Sequence, residues 1–186
     1  MSFLSMLFFA SSTMQSPSLE PINNRFTERL DKRGVIVQRG FDETVAAALQ
    51  EGVNDPLIRL YTHDATRFRN PDLTQRWYEN PNKRPTIYSL SDRAIAGVIW
   101  FSHSTSEFSS APDSFAIRMY ADSRNRGLAG DFLEAAHEDF TSAQDGSDTW
   151  LHVRRDNAVA RMLYAHHGYQ VSHESKRFLT MTRDKR

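Results

Sequence analysis

Apolar residues along the chain recur with two periods, one for strands and one for helices. The run at 35–39, which follows Gly34, is short and β-rich and predicts a strand. Residues 86–90 and 94–102 predict two strands joined by a turn at Ser91, Asp92 and Arg93, an antiparallel hairpin. The second of them is mostly apolar, as a central strand would be. Further strands are predicted at 114–119, 149–154, 170–172 and 177–182.

Helical periodicity appears between them. Asp42 precedes a run in which Val45, Ala48 and Leu49 share one side and Gly52 ends the helix. The stretch around Pro56 reads as loop. Asn70 and Pro71 read as an N-cap followed by proline at the first helical position. Leu73 and Trp77 then form an apolar stripe, and Asn80-Pro81 stops the helix. Residues 128–140 predict a longer helix. Another starts at Asp156 or Asn157 and closes at Gly168, with Val159, Met162 and Leu163 expected to be buried. The order β α α β β β α β α β β predicts an α/β or α+β domain with a central mixed sheet.

At 186 residues the chain suits one domain. The reading places that domain at 34–186 and treats 1–33 as an N-terminal tail. Its apolar start, with Phe3, Leu4, Met6, Leu7, Phe8 and Phe9, has no basic residue before it and so does not read as a secretory signal. It is also too short to span a bilayer. With Lys plus Arg equal to Asp plus Glu, the formal charge is zero, which argues against a broad nucleic-acid-binding face. The absence of cysteine excludes a disulfide framework, a thiolate nucleophile and a Cys-ligated metal. It fits a cytoplasmic setting. His166 and His167, adjacent on a helix, point about 100° apart and do not suggest a shared metal ion.

One turn stands out, at 120–131. A predicted strand enters it and a predicted helix leaves it, which is how a chain offers bare main-chain N–H groups to a phosphate. Arg124 and Arg126 add positive charge, and Gly127 and Gly130 permit close approach. A second stretch is the helix after Asn157, where Asn157, Ala160 and Tyr164 share a stripe that is polar at both ends and small in the middle. Each feature has a plainer reading: Tyr164 as a core aromatic, Asn157 as an N-cap, Gly127 as a turn glycine, Arg124 as a solvated charge. Trp77 and Tyr78 either line an acceptor pocket or simply pack.

The two stretches together resemble the GCN5-related N-acetyltransferase superfamily. Arg124-x-x-Gly127-x-Ala129 is similar to its acyl-CoA pyrophosphate loop. Asn157-x-x-Ala160-x-x-Leu163-Tyr164-x-x-x-Gly168-Tyr169 is similar to its second conserved block, and there the nearest resemblance is to the branch that acetylates ribosomal-protein N-terminal α-amines. The resemblance implies transfer of an acetyl group from acetyl-CoA to a primary amine, by direct attack and without a metal. It implies that the amides of Arg126, Gly127, Leu128, Ala129, Gly130 and Asp131 cradle the pyrophosphate. It also implies that Met119, Tyr120 and Ala121 pair with the pantetheine arm and that Asn157 holds its amide. Tyr164 would then protonate the leaving thiolate.

One departure matters. His152 stands where the ribosomal-protein branch carries a glutamate base; it is either the general base or an ordinary strand histidine, with a water chain serving instead. Two milder departures, Ala121 where proline is frequent and Ala129 where glycine is commoner, do not threaten cofactor binding. The acceptor class stays open between a small-molecule amine, a protein α-amine and a lysine side chain; homodimers are common in the family. The rival function is a non-catalytic acyl-CoA sensor on the same fold; an RNA-directed acyltransferase is disfavoured by the neutral charge.

Overall fold

The apolar run Ala94–His103 is the axis of the sheet, and its two faces divide the molecule. The computed structural model describes residues 18–185. In chain order the elements are β1 (Glu20–Pro21), α1 (Thr27–Asp31), β2 (Ile36–Arg39), α2 (Glu43–Gly52), α3 (Pro56–Tyr61), α4 (Asp64–Arg67), α5 (Pro71–Tyr78), β3 (Thr86–Asp92), β4 (Ala94–His103), β5 (Asp113–Met119), α6 (Ala129–Ser142), β6 (Thr149–Arg154), α7 (Ala158–His166), β7 (Gln170–Glu174) and β8 (Phe178–Arg183). The strands form one sheet in the order β1-β2-β3-β4-β5-β6-β8-β7. Only β5 and β6 run parallel; the other neighbours are antiparallel. This is the α+β mixed sheet that the sequence predicts.

Because strand side chains alternate between faces, β4 feeds two cores. Ile99 and Phe101 join Tyr88, Leu90 and Phe115 beneath α6 and α7, whose Phe132, Leu133, Phe140 and Tyr164 fill that side. Val98 and Trp100 join Ile87 on the opposite face, with Val45, Leu49 and Phe68 from the earlier helices and loops. The caps are local. The Asp42 carboxylate accepts from Val45 N, and the Asn70 side chain accepts from Leu73 N, satisfying N–H groups that a helix start leaves bare. Trp77 stands edge-on to Phe68 and Trp100, and Tyr78 stacks on Phe41, so both pack.

Three expectations need correction. The tail was expected to run to residue 33, but 18–33 belong to the fold: β1 pairs with β2, and α1 buries Leu30 completely. Asn24 Nδ2 donates to Ala135 O on α6 at 2.9 Å. The chain's apolar beginning lies outside the described residues. The stretch around Pro56 is not loop but two short helices: Asp55 caps α3 by accepting from Leu57 N and Ile58 N, with Pro56 at the first helical position. An Asp-Pro pair is a helix-start signal as well as a turn signal. Finally, α7 does not bury Val159 and Met162, which are 76% and 67% exposed. Its inner face is Ala160, Leu163 and Tyr164. This helix is apolar nearly all round, so periodicity alone could not choose the face; the aromatic pocket of Phe115 and Tyr169 did.

Candidate active site

The site begins where the sheet fails to close. β5 and β6 pair only at Asp113 with Thr149 and at Ser114 with Trp150. Beyond these the strands splay. β5 stays paired with β4 as far as Met119, and β6 stays paired with β8 as far as Arg154. Two main-chain edges therefore face each other across an open wedge. Tyr120 N donates to Ala96 O on the β4 side at 3.0 Å. Strand alternation then turns the N–H and C=O of Met119 the other way, into the wedge. The Met119 carbonyl accepts from Arg124 Nε at 2.9 Å, which leaves its N–H for a guest. Tyr120 offers no main-chain group: its carbonyl accepts from both Ser123 N and Ser123 Oγ. The Ala121 carbonyl accepts from Arg124 N.

At the wide end of the wedge the chain turns into α6. Among the described residues, the main-chain N–H groups of 125–131 find no acceptor, and no side chain caps α6. They form a crown of donors at a helix N-terminus, where the helix dipole also favours an anion. The turn is held from behind by Arg33, which donates to the carbonyls of Arg126 and Gly127. Gly127 has φ +66°, with open space where a side chain would project. Gly130 also meets His167 of the α7 end. The two arginines are engaged. Arg124 pairs with Asp55 at 2.8 Å and Arg126 with Asp92 at 2.7 Å. The Asp131 carboxylate is turned toward Arg29, at 3.2 Å. Leu128 is a core residue by its side chain and can serve only through its main chain.

Tyr164 lies on the inner face of α7. Its ring lies edge-on to Phe115, with centroids 6.0 Å apart, and its hydroxyl makes no hydrogen bond among the described residues. Burial raises its pKa to about 12, against the pull of the nearby Arg118 charge. The phenol is thus protonated throughout the neutral range. At the start of the same helix Asn157 Oδ1 accepts from Ala160 N at 3.2 Å, so the capping role is real. Its amide NH2 makes no hydrogen bond among the described residues.

On the opposite face of the sheet, side chains of β5 and β6 look toward α3 and α4. Arg118 makes a two-pronged pair with Asp64, at 2.5 and 2.9 Å, and lies 4.8 Å from the Trp100 ring centre. Arg154 grips Asp156 and donates to Leu60 O at 3.3 Å, bridging β6 to α3. His152 is exposed on this face, away from Leu151 and Val153, as alternation predicts. Its Nδ1 stands 3.1 Å from Thr180 Oγ1. Desolvation, and then the charge of His173, lower its pKa, so the ring is neutral near pH 7. Sequence reasoning missed Arg33, Asp55, Asp64, Arg118 and Arg154. Only Arg118 carried a local signal, as a lone charge inside an apolar strand. Two cavities of 540 and 530 Å³ lie at the other end of β5 and under the loop around Phe108, and neither includes Tyr164 or the turn.

No protein-family model and no curated protein sequence matches the chain. Solved structures do. AAC(6')-Ib in complex with ribostamycin and coenzyme A superposes with a TM-score of 0.65 at 15% identity, over 81% of this chain and 93% of that one. RimL, a ribosomal L7/L12 α-N-protein acetyltransferase, gives 0.63 at 12% identity over 90% and 94%. Spermidine N-acetyltransferase from Vibrio cholerae, in complex with CoA and spermine, gives 0.61 at 12% over 81% and 95%. The protein therefore has the acyl-CoA N-acyltransferase fold. More narrowly, it is the fold that these N-acetyltransferases share. No helix among the described residues is long and apolar enough to cross a membrane.

Proposed function

We propose that this protein is an acyl-CoA-dependent N-acyltransferase that moves an acetyl group from acetyl-CoA to a primary amine. One observation carries the reading: β5, parted from β6 beyond Ser114, leads into the donor crown at 125–131, and the Tyr164 ring, its hydroxyl unpartnered among the described residues, packs against Phe115 of that strand. Main-chain donors at a helix start suit a diphosphate. The Met119 N–H suits an extended amide-bearing arm, which would lie in the wedge as an added strand does. The amide of Asn157 suits a carbonyl of the same arm. An acyl-CoA bound in this way brings its thioester to the phenol.

The α6–α7 side of the wedge is filled by core, so the amine enters from the face of His152, Arg118 and Arg154. The neutral amine attacks the thioester carbonyl. A nitrogen–carbon bond forms and the carbon–sulfur bond breaks; the thiolate takes a proton from Tyr164, and the proton from the amine passes to His152 or to water. His152, neutral near pH 7, is suited to that task. Holding both reactants in one geometry supplies much of the acceleration.

The test has two arms. Acetyl-CoA is expected to raise the melting temperature of the wild type, by mass action on the folded state, and to leave Gly127→Glu unmoved. A panel of amines is expected to release free thiol. No thermal shift at millimolar ligand overturns the cofactor assignment. A shift with no thiol released for any amine overturns transfer and leaves an acyl-CoA sensor.

A further inference from the structure

The face from which the amine enters carries a cation that the fold does not use up. Arg67, on α4, is half-buried beside Phe68 and Trp100, its guanidinium carbon 5.6 and 5.9 Å from the two ring centres. Among the described residues it makes no hydrogen bond. Its one ion-pair contact is Asp64 at 4.0 Å, and that carboxylate is already held by the shorter two-pronged grip of Arg118. Arg67 and Arg118 thus lie over one indole with a single carboxylate between them, leaving one net positive charge. Burial lowers the Arg67 pKa; the Asp64 charge opposes this, and the like charge of Arg118 adds to it. Arg118 is also the charge that reaches the Tyr164 phenol.

Three other carboxylates near the wedge are occupied. Asp55 is paired with Arg124, Asp92 with Arg126 and Asp156 with Arg154. Glu51 is exposed and has no ion pair among the described residues; it is the group that a cationic acceptor would have to use. A polyamine-type acceptor needs several free carboxylates, and beside Arg67 the one carboxylate in reach, Asp64, is taken by Arg118. A guanidinium fork with open donors fits an oxyanion in two-pronged geometry.

Resting on the transferase reading above, we propose that the acceptor is a primary amine that also carries a carboxylate or a phosphate, and that Arg67 receives that oxyanion while the amine is presented to the thioester beside Tyr164. Arg67 is then a specificity-determining residue, and the acceptor is a small anionic amine of the amino-acid type rather than a polycation.

The test compares the twenty amino acids with their α-amides, together with 2-aminoethyl phosphate and putrescine, by thiol release and by thermal shift in the presence of CoA. At least one anionic amine is expected to exceed its uncharged counterpart in kcat/KM by about tenfold or more, the usual weight of a charge-assisted hydrogen bond. Arg67→Gln is expected to bring that ratio close to one, and Arg67→Lys to restore part of it. The CoA-induced thermal shift reports the integrity of both variants. Should no amine turn over, a thermal shift by an anionic amine that disappears in Arg67→Gln upholds this assignment while transfer falls. Amides or putrescine turning over as well as the acids, or an anion preference that survives Arg67→Gln, overturns it.

Discussion

Gly130 stands against His167: a methyl group on its Cα would lie 2.9 Å from the imidazole Nε2. That imidazole cannot swing aside freely, because its Nδ1 is 2.8 Å from Glu134, which Arg183 also grips at 3.0 and 2.9 Å. The absence of a Cβ at 130 therefore lets the start of α6 meet the end of α7. Those are the two helix ends that set the donor crown and Tyr164 in one frame.

Gly130→Ala is expected to destabilise by about 1 kcal/mol, the clash outweighing the gain in helix propensity. In a His167→Ala background the same change should become neutral or stabilising. A denaturation double-mutant cycle reads the difference. Additive effects would mean that the two residues do not press on each other.

The Glu134 carboxyl gives an acid-side signature. Burial alone would raise its pKa, but hydrogen bonds from His167 and Arg183 win and hold it at about 2. A carboxyl depressed in the folded state stabilises above its unfolded pKa and loses that contribution as the pH falls through the folded value. Melting curves should therefore fall between about pH 4.5 and 2. Glu134→Gln should be less stable at neutral pH by about 2–3 kcal/mol and should show a shallower fall than the wild type. A wild type and variant that melt in parallel across this window would rule out the linkage.

Tyr164→Phe keeps the buried ring and removes only the hydroxyl. Thiol release is expected to drop about 10²–10⁴-fold, the range for a general acid. The thermal shift by CoA should persist. An undiminished rate would take the proton donor away from Tyr164.

For His152 the expected profile follows from its lowered pKa. The base is active when neutral, so wild-type kcat/KM should rise through a pKa below the ordinary value of about 6.5 and be level by pH 7–8. His152→Ala should lose that inflection along with most of the rate. An inflection that survives the substitution belongs to another group, and water then serves as base.

What could be read from the sequence was what neighbours decide. Asp42 and Asn70 cap their helices because a short side chain reaches an N–H three residues on. The strand–turn–helix at 114–140 was legible because glycines and a change of period mark it. Asn157 shows the limit of such signals: cap and ligand holder share one side chain, and only its Oδ1 is spent. Arg124 shows another. Its charge was legible; its partner Asp55, far along the chain, was not.

The sequence by itself determined the strands from β2 onward, the helices α2, α5, α6 and α7, the bare amides after β5 and a phenol seven residues beyond Asn157, since spacing within a few residues is fixed by helix and strand geometry; it missed β1, α1, α3 and α4. Tertiary structure decided where β5 and β6 part, which face of α7 turns inward, and that Asp64 neutralises Arg118 but leaves Arg67 in surplus. Those outcomes depend on contacts between distant segments, where packing and desolvation, rather than local propensity, select among alternatives that the chain alone leaves equal.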